Sequence, residues 1–187
     1  EISRCDWSSD VCSSDLVSYT IISYVNTIVV MSMAGIAQGT QPLISYYYGK
    51  NESEKYKKLL KYGMVAAAAG SVVAVLICYV GAESIVGLFL KESEASLSIY
   101  SVRVLRIFIL SFLLAGLNVV LGGYFTSVEK AGFATMISLT RSLIALVISL
   151  VFLTAVFGGE AIWWAPLIAE SCCLVLSAGL YQWYRKK

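Results

Sequence analysis

The chain has 187 residues, of which 58% are apolar and only 14% are charged, with a formal net charge of +2. Soluble domains usually carry about 25% charged residues, so this composition favours a membrane protein, because lipid tolerates few charges. It excludes a disordered chain, which needs low hydrophobicity, and a nucleic-acid-binding protein, which needs a basic surface. Since the sequence contains no histidine, histidine-based catalysis and histidine metal sites are excluded as well.

The first sixteen residues differ from everything that follows. All three aspartates of the chain lie among them. The segment 6–16, DWSSDVCSSDL, resembles the in-frame translation of a sequencing-library adapter, so we exclude residues 1–16 from the fold prediction. We therefore expect the native N-terminal part of the protein to be missing. Residues 17–187 carry thirteen basic and eight acidic residues, a formal charge of +5.

Five apolar segments follow, each longer than the roughly 20 residues that a helix needs to cross the hydrocarbon core. Because backbone groups in lipid must form their hydrogen bonds internally, each segment predicts a transmembrane helix. The predicted spans are about 17–48, 59–80, 97–122, 133–157 and 161–184. The piece 84–90 is too short to span and is predicted to form a helix at the outer surface.

Positive charge lies mostly in connections that alternate spans place on one side. Nine basic residues lie on this side when Lys61, just inside the second span, is counted with the connection between the first and second spans, the connection between the third and fourth, and the tail after the fifth. The other side carries Lys91, or three basic residues if Arg103 and Arg106 are counted there. The positive-inside rule then predicts that the lysine-rich connection and the C-terminus are cytoplasmic.

Three polar residues deep in the spans are candidates for function. Glu170 lies near the middle of the last span, where an ionisable residue is a functional hypothesis by default. Because desolvation penalises the charged form of a carboxyl group, Glu170 could bind and release a proton. The alternative is a structural ion pair with Arg141 of the fourth span. Asn118, deep in the third span, could line a cavity or form an interhelical hydrogen bond.

The second half of the first span is unusually polar. Gly35 and Gly39 form a G-x-x-x-G pattern that permits close helix contact. Gln38 and Gln41 are three residues apart and lie on one helix face, and Pro42 frees the carbonyl of Gln38. The two amides could hold a substrate in a polar cavity, or they could bond to neighbouring helices.

The segment 35–51, GIAQGTQPLISYYYGKN, resembles a helix end in the MATE (multidrug and toxic compound extrusion) family, where the pattern is G-x-x-Q-G-x-Q-P followed by Y-x-Y-G-x-x-N. Shorter matches follow in the family's order at 105–108, 123–125, 130–131, 139–141 and 163–170. The resemblance covers nearly all of residues 17–187. Family members have twelve helices in two bundles of six. The resemblance therefore implies an all-α membrane protein whose five transmembrane helices form most of the C-terminal bundle.

The resemblance also implies a function, that of an antiporter in a bacterial cytoplasmic (inner) membrane. It would export organic cations and amphipathic drugs in exchange for protons or sodium, and its partners would be the lipid bilayer and the missing N-terminal bundle. We expect no enzymatic activity, no metal site and no cofactor beyond the coupling ion. The residues expected to bind substrate or couple the ion are Gln38, Gln41, Asn118, Arg141 and Glu170.

One departure from the family concerns the acids that bind cations. Some members carry one acid in the seventh helix, which is absent here, and another in the tenth helix, which here offers Asn118 but no carboxylate. A sodium site in this bundle is therefore in doubt, and Glu170 is the remaining candidate for charge coupling.

Two other functions are compatible with the sequence. A lipid-linked sugar flippase of the same superfamily would need a strongly cationic cavity, for which only Arg141 and Arg106 are available. A membrane-embedded enzyme would need its active site in the missing half of the protein. The isolated fragment, with helix faces exposed, is expected not to transport.

Overall fold

A computed structural model describes residues 3–90 and 95–186, with the side chains of 15–90, 96–158 and 161–184. These residues are almost entirely helical and contain no strand. The helices are α1 Ser3–Gly49, α2 Ser53–Val80, α3 Ala82–Gly87, α4 Ala95–Phe108, α5 Phe112–Ser127, α6 Ala131–Leu139, α7 Ala145–Phe157 and α8 Ala165–Lys186. A 3₁₀ turn at Ile109–Ser111 joins α4 to α5, a π-helical turn at Thr140–Ile144 joins α6 to α7, and a second 3₁₀ turn at Gly159–Trp164 precedes α8.

The five predicted spans are confirmed. Five stretches are long and apolar enough to cross a membrane: Asp15–Gly49, Ser53–Val80, Ser96–Ser127, Ala131–Phe157 and Ala161–Tyr184. The largest difference from the predicted bounds is at the start of the second span. The helix begins at Ser53 and includes the lysine-rich residues that were predicted to precede it. Long basic side chains permit this, since their charged ends reach water while their stems follow the apolar surface. The short helix predicted over 84–90 is found as α3, shifted by a few residues.

The third span lies at the centre of the bundle. Of its most apolar stretch, 56% is buried, against 22–33% in the other four spans. Glycines allow this burial, because small residues let helices approach closely in membranes. A Cβ atom at Gly116 would lie 2.4 Å from the Ser71 hydroxyl of α2, and one at Gly123 would lie 2.8 Å from the side-chain amide of Gln41 on α1.

The G-x-x-x-G pattern of the first span has no such role within the described chain. A Cβ at Gly35 or Gly39 would meet nothing within 4 Å, so the close contact that this pattern permits is not formed by these glycines here. Pro42 also does not end the helix, because α1 continues to Gly49.

The ends of the helices form two groups, one at each end of the bundle. The connections 50–52 and 128–130 and the end of α8 lie together, and we call this the lysine-rich end. At the opposite end, the Tyr100 hydroxyl donates a 2.7 Å hydrogen bond to Asp15 and accepts one of 3.1 Å from the Trp163 indole. Asp15 belongs to the segment that resembles an adapter, whose boundary at residue 16 stays a prediction.

Replacing Gly116 by alanine should destabilise the bundle by roughly 1–3 kcal/mol, the usual cost of overpacking. The new methyl group would approach the Ser71 hydroxyl and lie 3.4 Å from the Ala67 carbonyl. The matched control is Gly122→Ala on the same helix, where a Cβ meets nothing within 4 Å and alanine favours the helix by up to about 1 kcal/mol. Thermal unfolding in detergent, followed by circular dichroism, compares the two; equal stabilities would contradict the close packing.

Candidate functional site

Three of the predicted site residues meet in the middle of the bundle. The Arg141 guanidinium donates through Nε to Glu170 Oε1 at 2.7 Å. The Asn118 side-chain amide donates to Glu170 Oε2 at 2.7 Å and to the Glu170 backbone carbonyl at 3.0 Å. Each oxygen of the carboxylate therefore has its own donor, from a different helix. We call these three residues the central cluster.

Each member of the central cluster is positioned by a different local structure. Asn118 lies on α5, the central helix, and Glu170 lies in the second turn of α8. Pro166 is tolerated in the first turn of α8, where its missing N–H has no intrahelical acceptor. Arg141 lies in the π-helical turn, within which the Ala145 N–H bonds to the Thr140 carbonyl. Such turns are rare, and they occur often at functional sites.

The central cluster is largely removed from solvent. The side chains of Glu170 and Arg141 are 13% and 22% exposed, and Asn118 is 1% exposed. Charge-assisted hydrogen bonds of this length are the strong ones, and they are needed here because an unpaired buried charge is very costly. The remaining acceptor, Asn118 Oδ1, is buried and accepts no hydrogen bond from the described residues.

A polar cavity of about 370 Å³ adjoins the central cluster on the side of the first half of α1. Glu170 is the one carboxylate among the described residues that line it. The polar lining residues are Tyr19, Ser23, Asn26, Ser111, Ser138, Arg141, Ser142 and Glu170. Its volume falls within the range of about 300–1,000 Å³ that is typical of small-molecule sites.

A second cavity, of about 240 Å³, lies toward the lysine-rich end between the third and fourth spans. Asn118 and Arg141 line it together with Gly122, Gly123 and Thr126. Arg141 therefore contributes to both cavities. Glu170 lines only the larger cavity, Asn118 lines only the smaller one, and Arg141 lies at the boundary between them.

The two glutamines lie away from the central cluster. Gln38 is exposed on α1, and Gln41 rests on Gly123 of α5. Neither lines the two cavities beside Arg141. Their predicted role in holding substrate stays a prediction, whereas the predicted pairing of Arg141 with Glu170 is present.

Sequence reasoning missed the contribution of the first half of α1. Tyr19, Ser23 and Asn26 all line the larger cavity. Their spacing of i, i+4 and i+7 marks one helix face, so helical periodicity among polar residues would have identified them. The residues that were predicted on this helix, Gln38 and Gln41, lie in its second half instead.

Arg106 does not contribute a second positive charge to the cavities beside the central cluster. It bonds to Glu83 at 3.2 Å, and its guanidinium lies over the Tyr79 ring at 5.1 Å from the ring centre. Among the described residues that line these two cavities, Arg141 is the one basic residue. This is not the strongly cationic cavity that a flippase for lipid-linked sugars would need.

Glu170→Gln and Arg141→Gln should each lower the free energy of unfolding by roughly 3–5 kcal/mol, because each leaves a buried charge without its partner. The double variant should lose less than the sum of the two, because no uncompensated charge remains. The exposed pair Arg106–Glu83, with side chains 38% and 77% exposed, is the control and should show coupling below about 1 kcal/mol. The free energy of unfolding in mixed micelles is measured for the single and double variants of both pairs. Additive losses at Arg141 and Glu170 would contradict a tight pair.

The sequence profile of the MatE family matches residues 7–151. The multidrug export protein MepA of Staphylococcus haemolyticus is 24% identical over 161 residues, which are 86% of this chain and 34% of that protein. MepA of Staphylococcus aureus (strain bovine RF122 / ET3-1) is 23% identical over 84% of this chain and 33% of its own length. The chain thus spans about a third of the length of these relatives.

Two solved structures share the fold. One is an outward-facing multidrug resistance MATE family transporter of the MOP superfamily, with a TM-score of 0.83 and 15% identity over 93% of this chain and 38% of that chain. The other is an inward-facing transporter of the same description, with a TM-score of 0.80 and 16% identity over 90% of this chain and 38% of that chain. With the family profile matching most of the chain, these comparisons show that the chain belongs to the MatE family.

Proposed function

We propose that this chain is the larger part of the C-terminal bundle of a multidrug efflux antiporter, and that Glu170 couples transport to an ion gradient. The observation that carries the proposal is a buried carboxylate that lines the larger cavity and is held by an arginine and an asparagine, both of which line the smaller one. An ionisable group at that depth persists in transporters where it serves a substrate or ion pathway.

The larger cavity is suited to organic cations and amphipathic drugs. Glu170 supplies its negative charge, and Tyr19 and Phe108 supply aromatic faces. Aromatic rings attract cations, most strongly where water is displaced. A cationic drug that reached Glu170 would compete with the guanidinium of Arg141 for the same carboxylate, so substrate binding and opening of the ion pair would be linked.

The coupling ion that this site favours is the proton. A sodium ion at Glu170, like a cationic drug, would have to displace Arg141, whose positive charge repels it in a site of low dielectric constant. Unlike the drug, it brings no apolar surface whose burial offsets this cost. A proton neutralises the carboxylate and leaves Arg141 free to turn away. Asn118 can serve both forms, because its amide donates to a carboxylate and, after rotation, its Oδ1 can accept from a carboxylic acid.

The rest of the antiporter would be the missing N-terminal bundle, with which this bundle forms the midplane substrate cavity. Transporters of this design alternate access by rocking one repeat against the other. The similar TM-scores with outward-facing and inward-facing structures, 0.83 and 0.80, support a bundle that moves as a unit. In a bacterial cytoplasmic membrane, its lysine-rich end and C-terminus would face the cytoplasm.

Transport tests the role of Glu170. The intact reading frame, expressed in cells that lack their own efflux pumps, should export a cationic dye such as ethidium. Glu170→Gln should reduce the rate by at least tenfold, because it removes the group that exchanges a proton. Glu54→Gln, which changes an exposed acid on α2, should leave the rate unchanged. Full export by the Glu170 variant would remove the coupling role.

Two further arms identify the ion and the minimal unit. In everted vesicles, a proton gradient alone should drive dye uptake and an uncoupler should stop it, whereas a sodium gradient should have no effect. Uptake driven by sodium would overturn the proton assignment. Vesicles that contain only the 187-residue chain should not move dye.

Fusions test the predicted orientation. Green fluorescent protein fused after Lys187 should fluoresce, and alkaline phosphatase fused there should be inactive, because the C-terminus is predicted to be cytoplasmic. The matched fusions after Leu90, in the opposite connection, should give the reverse pattern. Active phosphatase at the C-terminus would invert the topology.

A further inference from the structure

A further cavity, larger than the two beside the central cluster, lies at the lysine-rich end. It has a volume of about 760 Å³ and is lined by residues from the ends of all five spans. Five of its lining residues are tyrosines, each near the end or start of a span: Tyr48, Tyr56, Tyr124, Tyr181 and Tyr184. The proposed transport function leaves this cavity without a role.

The tyrosines form one continuous aromatic wall. The Tyr56 ring lies 5.7 Å from that of Tyr48 and 6.5 Å from that of Tyr124, centre to centre. The Tyr124 ring lies 5.7 Å from that of Tyr181. Phenol hydroxyls are hydrogen-bond donors as well as acceptors, so the wall presents several donors to whatever occupies the cavity.

Two lysines give the cavity its charge. Lys57, near the start of α2, and Lys130, just before α6, line it, and none of its described lining residues is a carboxylate. Other lysines nearby are already engaged, since Lys55 pairs with Glu52 and Lys50 lies over the Tyr46 ring. Within the described part of the chain, Lys57 and Lys130 have neither an ion pair nor a ring contact of this kind. Two ammonium groups and several phenols, with no acid among the described lining residues, form a site for an anion.

The surroundings favour a lipid as the source of that anion. Phe133 and Trp183 form the edge of the cavity, with ring centres 5.7 Å apart, and aromatic side chains prefer the level of the headgroups. Beyond this edge along α6, Met136 and Leu139 are each 50% exposed. A phospholipid whose phosphate is held by the lysines would therefore have its acyl chains along this apolar surface.

We propose that this cavity binds the phosphate headgroup of an anionic phospholipid, with Lys57 and Lys130 as the charged contacts. Basic pockets between transmembrane helices on the cytoplasmic side are a known mode of headgroup recognition. The lipid joins the ends of all five spans and so stabilises the bundle at the end opposite to α3.

Lipid retention by the purified 187-residue chain tests this proposal. The delipidated chain is incubated with mixed micelles of phosphatidylglycerol and phosphatidylcholine, captured, and its bound lipid is measured by mass spectrometry. Phosphatidylglycerol should be retained selectively. The double variant Lys57→Gln/Lys130→Gln should bind it about 10- to 30-fold more weakly, given the contribution of each basic residue near an anionic lipid.

The matched control is Lys58→Gln/Lys61→Gln, which removes two exposed lysines of the same helix that do not line the cavity. It should retain phosphatidylglycerol, as should Lys57→Arg/Lys130→Arg, and thermal unfolding confirms that each variant is folded. Equal losses in both glutamine variants would reduce the effect to general surface charge and overturn the site. Binding of glycerol 3-phosphate as tight as that of the lipid would overturn the lipid assignment in favour of a soluble organophosphate.

Discussion

A carboxylate within an apolar bundle must be satisfied on both of its oxygens, and much of this architecture depends on how that is done. Glu170 receives one hydrogen bond from Arg141 and two, including one at its backbone carbonyl, from Asn118. These bonds tie the last span to the third and the fourth at mid-depth. Elsewhere the spans meet through apolar side chains, glycines and side-chain hydrogen bonds nearer their ends, such as that between Ser18 and Ser101. The central cluster adds a constraint at mid-depth on the rotation of three helices about their axes.

The same interaction makes the central cluster suited to two states. While Glu170 is ionised, Arg141 is held beside it and separates the two cavities. In the proposed mechanism, a proton or a cationic substrate neutralises the carboxylate and breaks the ion pair, while Asn118 keeps a partner. Arg141 is then a buried charge without its partner, which is costly, so neutralisation favours a second arrangement in which Arg141 has moved to another partner or toward water.

Part of this could be predicted from the sequence, and the reasons differ from residue to residue. The five spans could be predicted because they follow from hydrophobicity and length. The pairing of Glu170 with Arg141 could be predicted because a charge within a membrane span needs a partner. An interhelical hydrogen bond from Asn118 was one of two alternatives, but its partner Glu170 could not be predicted, because that depends on how three helices are rotated against each other. Glycine spacing misled at Gly35 and Gly39, whereas Gly116 and Gly123 lie at close contacts. The tyrosine-lined cavity could not be predicted, because it is formed only when the ends of all five spans come together in the folded bundle. The sequence predicted only that its lysines lie on one side of the membrane.

The π-helical turn at Thr140–Ile144 has a consequence for the history of the gene. A π turn holds one residue more than an α-helix needs to continue in the same direction, and each residue of an α-helix advances its face by about 100°. An in-frame loss of one codon elsewhere in this span would turn the following side chains away from their neighbours. A loss inside the turn would let the helix return to regular geometry with the phase of α7 unchanged. This short stretch, which contains Arg141, is therefore where the fourth span can lose one residue with the least disturbance of the helix that follows.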